Sequence, residues 1–241
     1  MKMKSLLWKI WFILFMLLCL MGYFLLIISK LFLPKKTYRK VVFWAINFWG
    51  RKVVLTTGSE VELIGIENLP DDERICFVSN HQGMFDIPLV LGFVGRSCGF
   101  LAKKELLKVP VLAWWMLEIP CVFIDRSSAR KARESIIKSA EVIKQGHAMV
   151  IFPEGTRSKS GVVGDFKLGS IKLPMMAEAT IVPLAINNTW KILEETGKIQ
   201  AQKLTLEIME PIRPEDELYQ DQRALCAHLE EQISTRVEAL Q

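Results

Sequence analysis

From Ile10 to Ser29 the chain runs for twenty residues without a charge, IWFILFMLLCLMGYFLLIIS. As a helix such a run extends roughly 30 Å, the thickness of a bilayer's hydrocarbon core, so it predicts a membrane helix. It exceeds the apolar stretch of a secretory signal and is followed by SKLFLPKK rather than by a small-residue cleavage site, which predicts retention. Lys30, Lys35, Lys36, Arg39 and Lys40 beyond it outnumber Lys2, Lys4 and Lys9 before it. The positive-inside tendency then puts the rest of the chain in the cytoplasm, as expected at a bacterial-type inner or plasma membrane. The next apolar stretch, Val41 to Trp49, is too short to span and is rich in Trp and Phe, which predicts an interfacial or re-entrant helix. Two apolar helices joined by a basic turn can also enter one leaflet together, and the sequence leaves both arrangements open. Residues 1–52 are read as the membrane anchor and residues 53–241 as one folded domain.

Charge follows the same division. Residues 1–59 hold ten Lys or Arg and no acid, whereas the remainder carries 21 bases against 26 acids. A basic excess confined to the N-terminus suits anionic lipid headgroups and argues against nucleic acid, which needs its positive patch on the folded body. Five widely spaced cysteines, with no CxxC pair and no histidine at ligand spacing, predict neither a disulfide framework nor a metal site.

In the body, short apolar runs (VELIGIENL, ICFVS, CGFLA, CVFID, AMVIF, IVPLAI, KLTLEIM) alternate with helical patterns. The segment from Ser127 to Gly146 sets Ile136, Ile137, Ala140 and Ile143 on one helical face and ends in a capping glycine. LAWWMLE and IKLPMMAEA are further helix candidates, and a last helix covers much of the stretch from Pro214 to Leu240. Such alternation predicts an α/β fold with a mixed, largely parallel sheet covered by helices on both faces.

Two polar loops follow apolar strands directly. In Asn80-His81-Gln82-Gly83-Met84-Phe85-Asp86, a continuous helix would turn His81 and Asp86 about 140° apart, so a dyad requires a turn, which Gly83 allows. Asp86 would then open the next helix and reach back to the imidazole, fixing its tautomer and leaving the other nitrogen as general base. In Phe152-Pro153-Glu154-Gly155-Thr156-Arg157-Ser158, Gly155 lets the backbone approach a ligand and Arg157 offers a planar fork for phosphate. Lys103-Lys104-Glu105-Leu106 and Asp125-Arg126-Ser127 add bases after two more strands. Each loop alone is also readable as a polar turn; together, a base and an anion clamp at strand ends are far more specific.

These four blocks, NHQGMFD, LAKKEL with FIDR, FPEGTRS and IVPLAI, resemble those of the glycerolipid acyltransferases, specifically the lysophosphatidic acid acyltransferases, over roughly residues 60 to 190. The resemblance implies that His81 and Asp86 are catalytic. It implies that Lys103, Arg126, Glu154, Gly155 and Arg157 bind a phosphate-bearing acceptor, and that Val182-Pro183-Leu184 lies near the acyl site. It further implies a two-helix N-terminal membrane motif, a membrane lysolipid as acceptor, and an acyl-carrier protein or CoA thioester as acyl donor, with no cofactor. Another lysophospholipid or a lyso-aminolipid would suit the same blocks. A membrane-tethered lipid-binding protein without catalysis is the reading from another class, and a matched base and carboxylate count against it.

Overall fold

The computed structural model describes residues 2–241, apart from the side chains of Lys2 and Lys4. Two helices come first, α1 (Lys2–Ser29) and α2 (Lys35–Leu55). The body then follows as β1 (Glu60–Ile64), β2 (Ile75–Ser79), α3 (Asp86–Phe93), β3 (Cys98–Lys103), α4 (Pro110–Glu118), β4 (Val122–Ile124), α5 (Ala129–Lys144), β5 (Ala148–Ile151), α6 (Leu168–Ala177), β6 (Thr180–Asn187), β7 (Lys203–Ile208) and α7 (Gln222–Ala239).

The seven strands form one sheet in the order β1-β7-β6-β2-β5-β3-β4. The five from β6 to β4 are mutually parallel, β7 runs antiparallel to β6, and β1 runs with β7. The mixed, largely parallel sheet expected from the alternation is therefore present. Every residue of β2, β5 and β6 is buried, as continuous apolar runs must be when helices cover both faces. One face packs a core with α2 and α3, including Phe77, Val150, Leu89 and Val90. The other packs under α5, α6 and α7, including Val78, Ile151, Ile171 and Leu229.

Helix α5 starts where Ser128 accepts a hydrogen bond from the Lys131 N–H, and Gly146 follows its end in the left-handed region (φ 82°). The buried face of α5 holds Ser135, Ser139, Ala140 and Ile143. Ile137, expected on that face, is exposed at 37% because it lies one position off the stripe that meets the sheet.

Among the described residues only α1, from Ser5 to Ser29, is long and apolar enough to cross a membrane. The two N-terminal helices are thus unlike each other: α1 has the length and apolarity to span, and α2, whose apolar stretch is too short to span, does not. Helix α2 buries Tyr38, Val42, Ile46, Val53 and Val54 against the body, while Trp44 and Phe48 remain exposed. The Asn47 amide donates to the Leu91 and Gly92 carbonyls at 3.2 and 2.9 Å, fastening α2 to α3. Helix α3 begins at Asp86, so this packing fixes one half of the candidate dyad.

Candidate active site

Because β2, β3, β4 and β5 are parallel, the residues that follow them share one edge of the sheet. His81 follows β2 and Glu154 follows β5, its neighbour in the sheet. Lys103 closes β3 in register with Ile124 of β4, so its exposed side chain and Arg126 leave adjacent strand ends. This is the carboxyl edge, where open α/β sheets present ligand-binding loops.

The His81–Asp86 turn forms as the spacing requires. His81 Nδ1 lies 2.6 Å from Asp86 Oδ2, and the Gly83 N–H donates to the same oxygen at 2.9 Å. The Thr189 hydroxyl donates to Asp86 Oδ1. Asp86 is fully buried, whereas the His81 side chain keeps 18% of its surface. The Phe152 ring stacks on the imidazole, with centroids 4.0 Å apart and planes 16° apart. A carboxylate only accepts, so Nδ1 carries the proton and Nε2 is the nitrogen with a free lone pair.

The loop after β5 is laced to this turn. The Ser158 N–H donates to the His81 carbonyl at 2.8 Å and the Lys159 N–H to the Gln82 carbonyl at 3.0 Å. Glu154 accepts the His81 N–H at 2.6 Å on one oxygen and the Gly164 N–H at 3.0 Å on the other. Glu154 is 5% exposed, and its carboxylate turns to these two backbone N–H groups, so it holds the loops together. Burial pushes its carboxyl above the ordinary range, against the two amide hydrogen bonds that draw it down.

Gly155 adopts φ 72°, a conformation costly for a side-chain-bearing residue. A Cβ there would lie 2.7 Å from Lys167 Nζ and 3.5 Å from Arg126 Nη2, so the bare Cα leaves room for two cations. Arg126 Nη1 donates to the Gly155 carbonyl at 2.9 Å. Arg157 Nη1 pairs with Glu194 at 3.1 Å, its side chain 35% exposed, leaving the other guanidinium N–H groups for a ligand. Beside them, Ser127 and Lys104 hold the Asp125 carboxyl well below the usual carboxylate range.

The structure thus brings together His81, Asp86, Glu154, Gly155, Arg126 and Arg157, with Lys103 on the neighbouring strand end. Val182 and Leu184 are fully buried in the core and line no open surface. Lys167, Thr189 and Glu194 lie outside the loops that the sequence singles out, and Thr189 and Glu194 meet side-chain partners 103 and 37 residues away. His147 faces Arg39, and His228 is exposed on α7. Burial pushes the thiols of Cys76 and Cys98 well above their ordinary range, which removes both as nucleophiles.

A buried aspartate behind a histidine, zipped to a cationic loop at the carboxyl edge of a parallel sheet, sets a nitrogen lone pair near groups able to hold an anion. The profile of the acyltransferase family matches residues 60–187, and the chain belongs to that family. The crystal structure of the 1-acyl-sn-glycerophosphate (LPA) acyltransferase from Thermotoga maritima is similar with a TM-score of 0.88 and 31% identity, over 99% of this chain and 97% of that one. The chloroplastic 1-acyl-sn-glycerol-3-phosphate acyltransferase of Brassica napus is 34% identical over 56% of this chain and 39% of its own length. The Pseudomonas aeruginosa protein of the same name is 34% identical over 58% and 53%. The chain therefore spans roughly two fifths to one half of these two curated relatives.

Proposed function

We propose that the chain transfers a fatty acyl group from an acyl-carrier protein or CoA thioester to the sn-2 hydroxyl of lysophosphatidic acid, giving phosphatidic acid. The observation that carries this reading is the lacing of the His81–Asp86 turn to the Gly155–Arg157 loop, which sets a base beside an anion clamp. In the proposed reaction the lysolipid hydroxyl oxygen attacks the thioester carbonyl carbon while His81 Nε2 takes its proton. The tetrahedral oxyanion then collapses, the carbon–sulfur bond breaks, and the departing thiolate takes the proton from the imidazolium. A thiolate leaves readily, so no acyl-enzyme is required. Arg157, with Arg126, Lys167 and Lys103, would hold the phosphate and make the attack nearly unimolecular. The names of the similar proteins support this acceptor.

We infer further that α1 lies in one leaflet with the body on the cytoplasmic side. Near its start, Ser5 accepts the Ile199 N–H at 3.2 Å and the Trp8 indole donates to Thr56 at 3.3 Å. Near its end, Tyr23 stacks on Trp114 at 5.6 Å, and Lys30, just past it, pairs with Glu118 at 3.2 Å. Contacts roughly 37 Å apart along the helix reach the same body, and a helix crossing the bilayer would carry one of them to the far side. Its outward face, with Leu7, Leu14, Leu18, Met21 and Leu25 more than half exposed, suits acyl chains.

The test is mass spectrometry of the lipid product from mixed lysolipids and mixed thioesters. Phosphatidic acid as the main product supports the reading, and acylation of another lysolipid in preference overturns the acceptor.

A further inference from the structure

The segment from Thr189 to Glu194, a 3-10 turn and the two residues after it, lies beyond the stretch matched to the family, yet it touches both halves of the site. Thr189 is fully buried, and its hydroxyl has a single proton. That proton goes to the Asp86 carboxylate in preference to the uncharged Gln82 amide oxygen, 3.4 Å away. Asp86 therefore receives three donors: His81 and Gly83 on one oxygen, Thr189 on the other.

Glu194 is 7% exposed at its side chain. One of its oxygens accepts both the Met84 N–H at 2.7 Å and the Arg157 guanidinium at 3.1 Å. The other is buried without a hydrogen-bond partner and lies 2.8 Å from where a Cβ on Gly83 would stand. Gly83 thus serves the turn and also gives Glu194 room to close against it. A buried carboxylate kept half unpaired has a cost, and here it aims Arg157 while joining it to the dyad's own turn.

On the acyltransferase reading, we propose that Thr189 and Glu194 are positioning residues for the transfer. Thr189 holds the carboxylate that orients His81. Glu194 points Arg157 so that its remaining N–H groups meet the acceptor's phosphate.

The full chain in mixed micelles provides the test, with Tm recorded for each variant. Thr189→Val keeps the shape and deletes the hydroxyl; kcat should fall roughly tenfold or more with both KM values little changed, and Thr189→Ser should recover most of it. Glu194→Ala should raise KM for lysophosphatidic acid roughly tenfold while kcat changes less, and leave KM for monoacylglycerol, which lacks the phosphate, nearly as it was. Equal kcat for T189V and wild type, or equal KM changes on both acceptors for E194A, overturns the corresponding assignment. A variant that only loses fold also lowers apparent kcat at unchanged KM, so rates are taken per folded protein titrated with lysolipid; a Thr189→Val rate that returns to wild type after this correction, with a lowered Tm, overturns the Thr189 assignment. The Thr189 comparison is made on whichever acceptor the wild-type protein uses, so a different acceptor changes the substrate in the assay and leaves the test of Thr189 intact.

Discussion

The Glu154 carboxylate accepts the backbone N–H of His81 at 2.6 Å, across 73 residues of sequence. That contact joins the two chemical loops through their backbones and leaves the imidazole and the guanidinium free to face a ligand. It also divides the carboxylates of the site by task, Asp86 serving the side chain of His81 and Glu154 its main chain.

Substituting His81 with Ala removes the base and should lower acyl transfer by about 10²-fold or more while lysolipid binding persists. Asp86→Asn, which cannot accept from all three donors, should lower kcat by a similar order. Steady-state kinetics with equilibrium binding of lysolipid checks both, and near-normal turnover by either variant contradicts the dyad.

Arg157→Ala should weaken lysophosphatidic acid strongly, raising its KM by roughly tenfold or more on the scale of a lost charge-assisted contact. A phosphate-free acceptor should be almost unaffected. Parallel kinetics on the two acceptors gives the answer, and an equal effect on both counts against the clamp.

Glu154 makes a prediction in pH. Its carboxyl is raised by burial, so the folded protein binds this proton more readily than the unfolded chain. The group's contribution to stability is then largest at acid pH and is lost as pH rises through the raised value. Relative to Glu154→Gln, which does not titrate, wild type should gain in Tm as pH is lowered from neutrality toward the ordinary carboxylate range. Thermal melts at matched ionic strength measure this, and a difference moving the other way contradicts it.

For α1, single reporter cysteines at Met3 and Leu31, exposed positions that flank the uncharged run, in a chain otherwise free of cysteine should both react with an impermeant reagent from the side that bears the body in sealed vesicles. Reaction from opposite faces would establish a spanning helix and remove the one-leaflet arrangement.

Much of the fold was legible because buried parallel strands are written as short continuous apolar runs, such as ICFVS and AMVIF. The dyad was legible because His81 and Asp86 are close in sequence and a glycine lies between them. Helix α2 was harder: Val42 and Ile46 look the same whether they meet lipid or α3, and only the structure shows that they meet the body. Glu154 was visible but its direction was not, since a loop glutamate carries no mark of which N–H groups it will accept. Thr189 and Glu194 gave no local signal, because their partners at Asp86 and Arg157 lie 103 and 37 residues away.

If the proposed transfer is right, one glycerol phosphate bridges His81 and Arg157. A structure of the His81→Ala protein or of wild type with lysophosphatidic acid bound would decide the point. Phosphate oxygens should then sit on the Arg157 guanidinium and the free hydroxyl at the His81 position, within about 3 Å of Nε2 where the imidazole is present. A phosphate held away from Arg157, or a hydroxyl pointing out of reach of position 81, would refute the bridge.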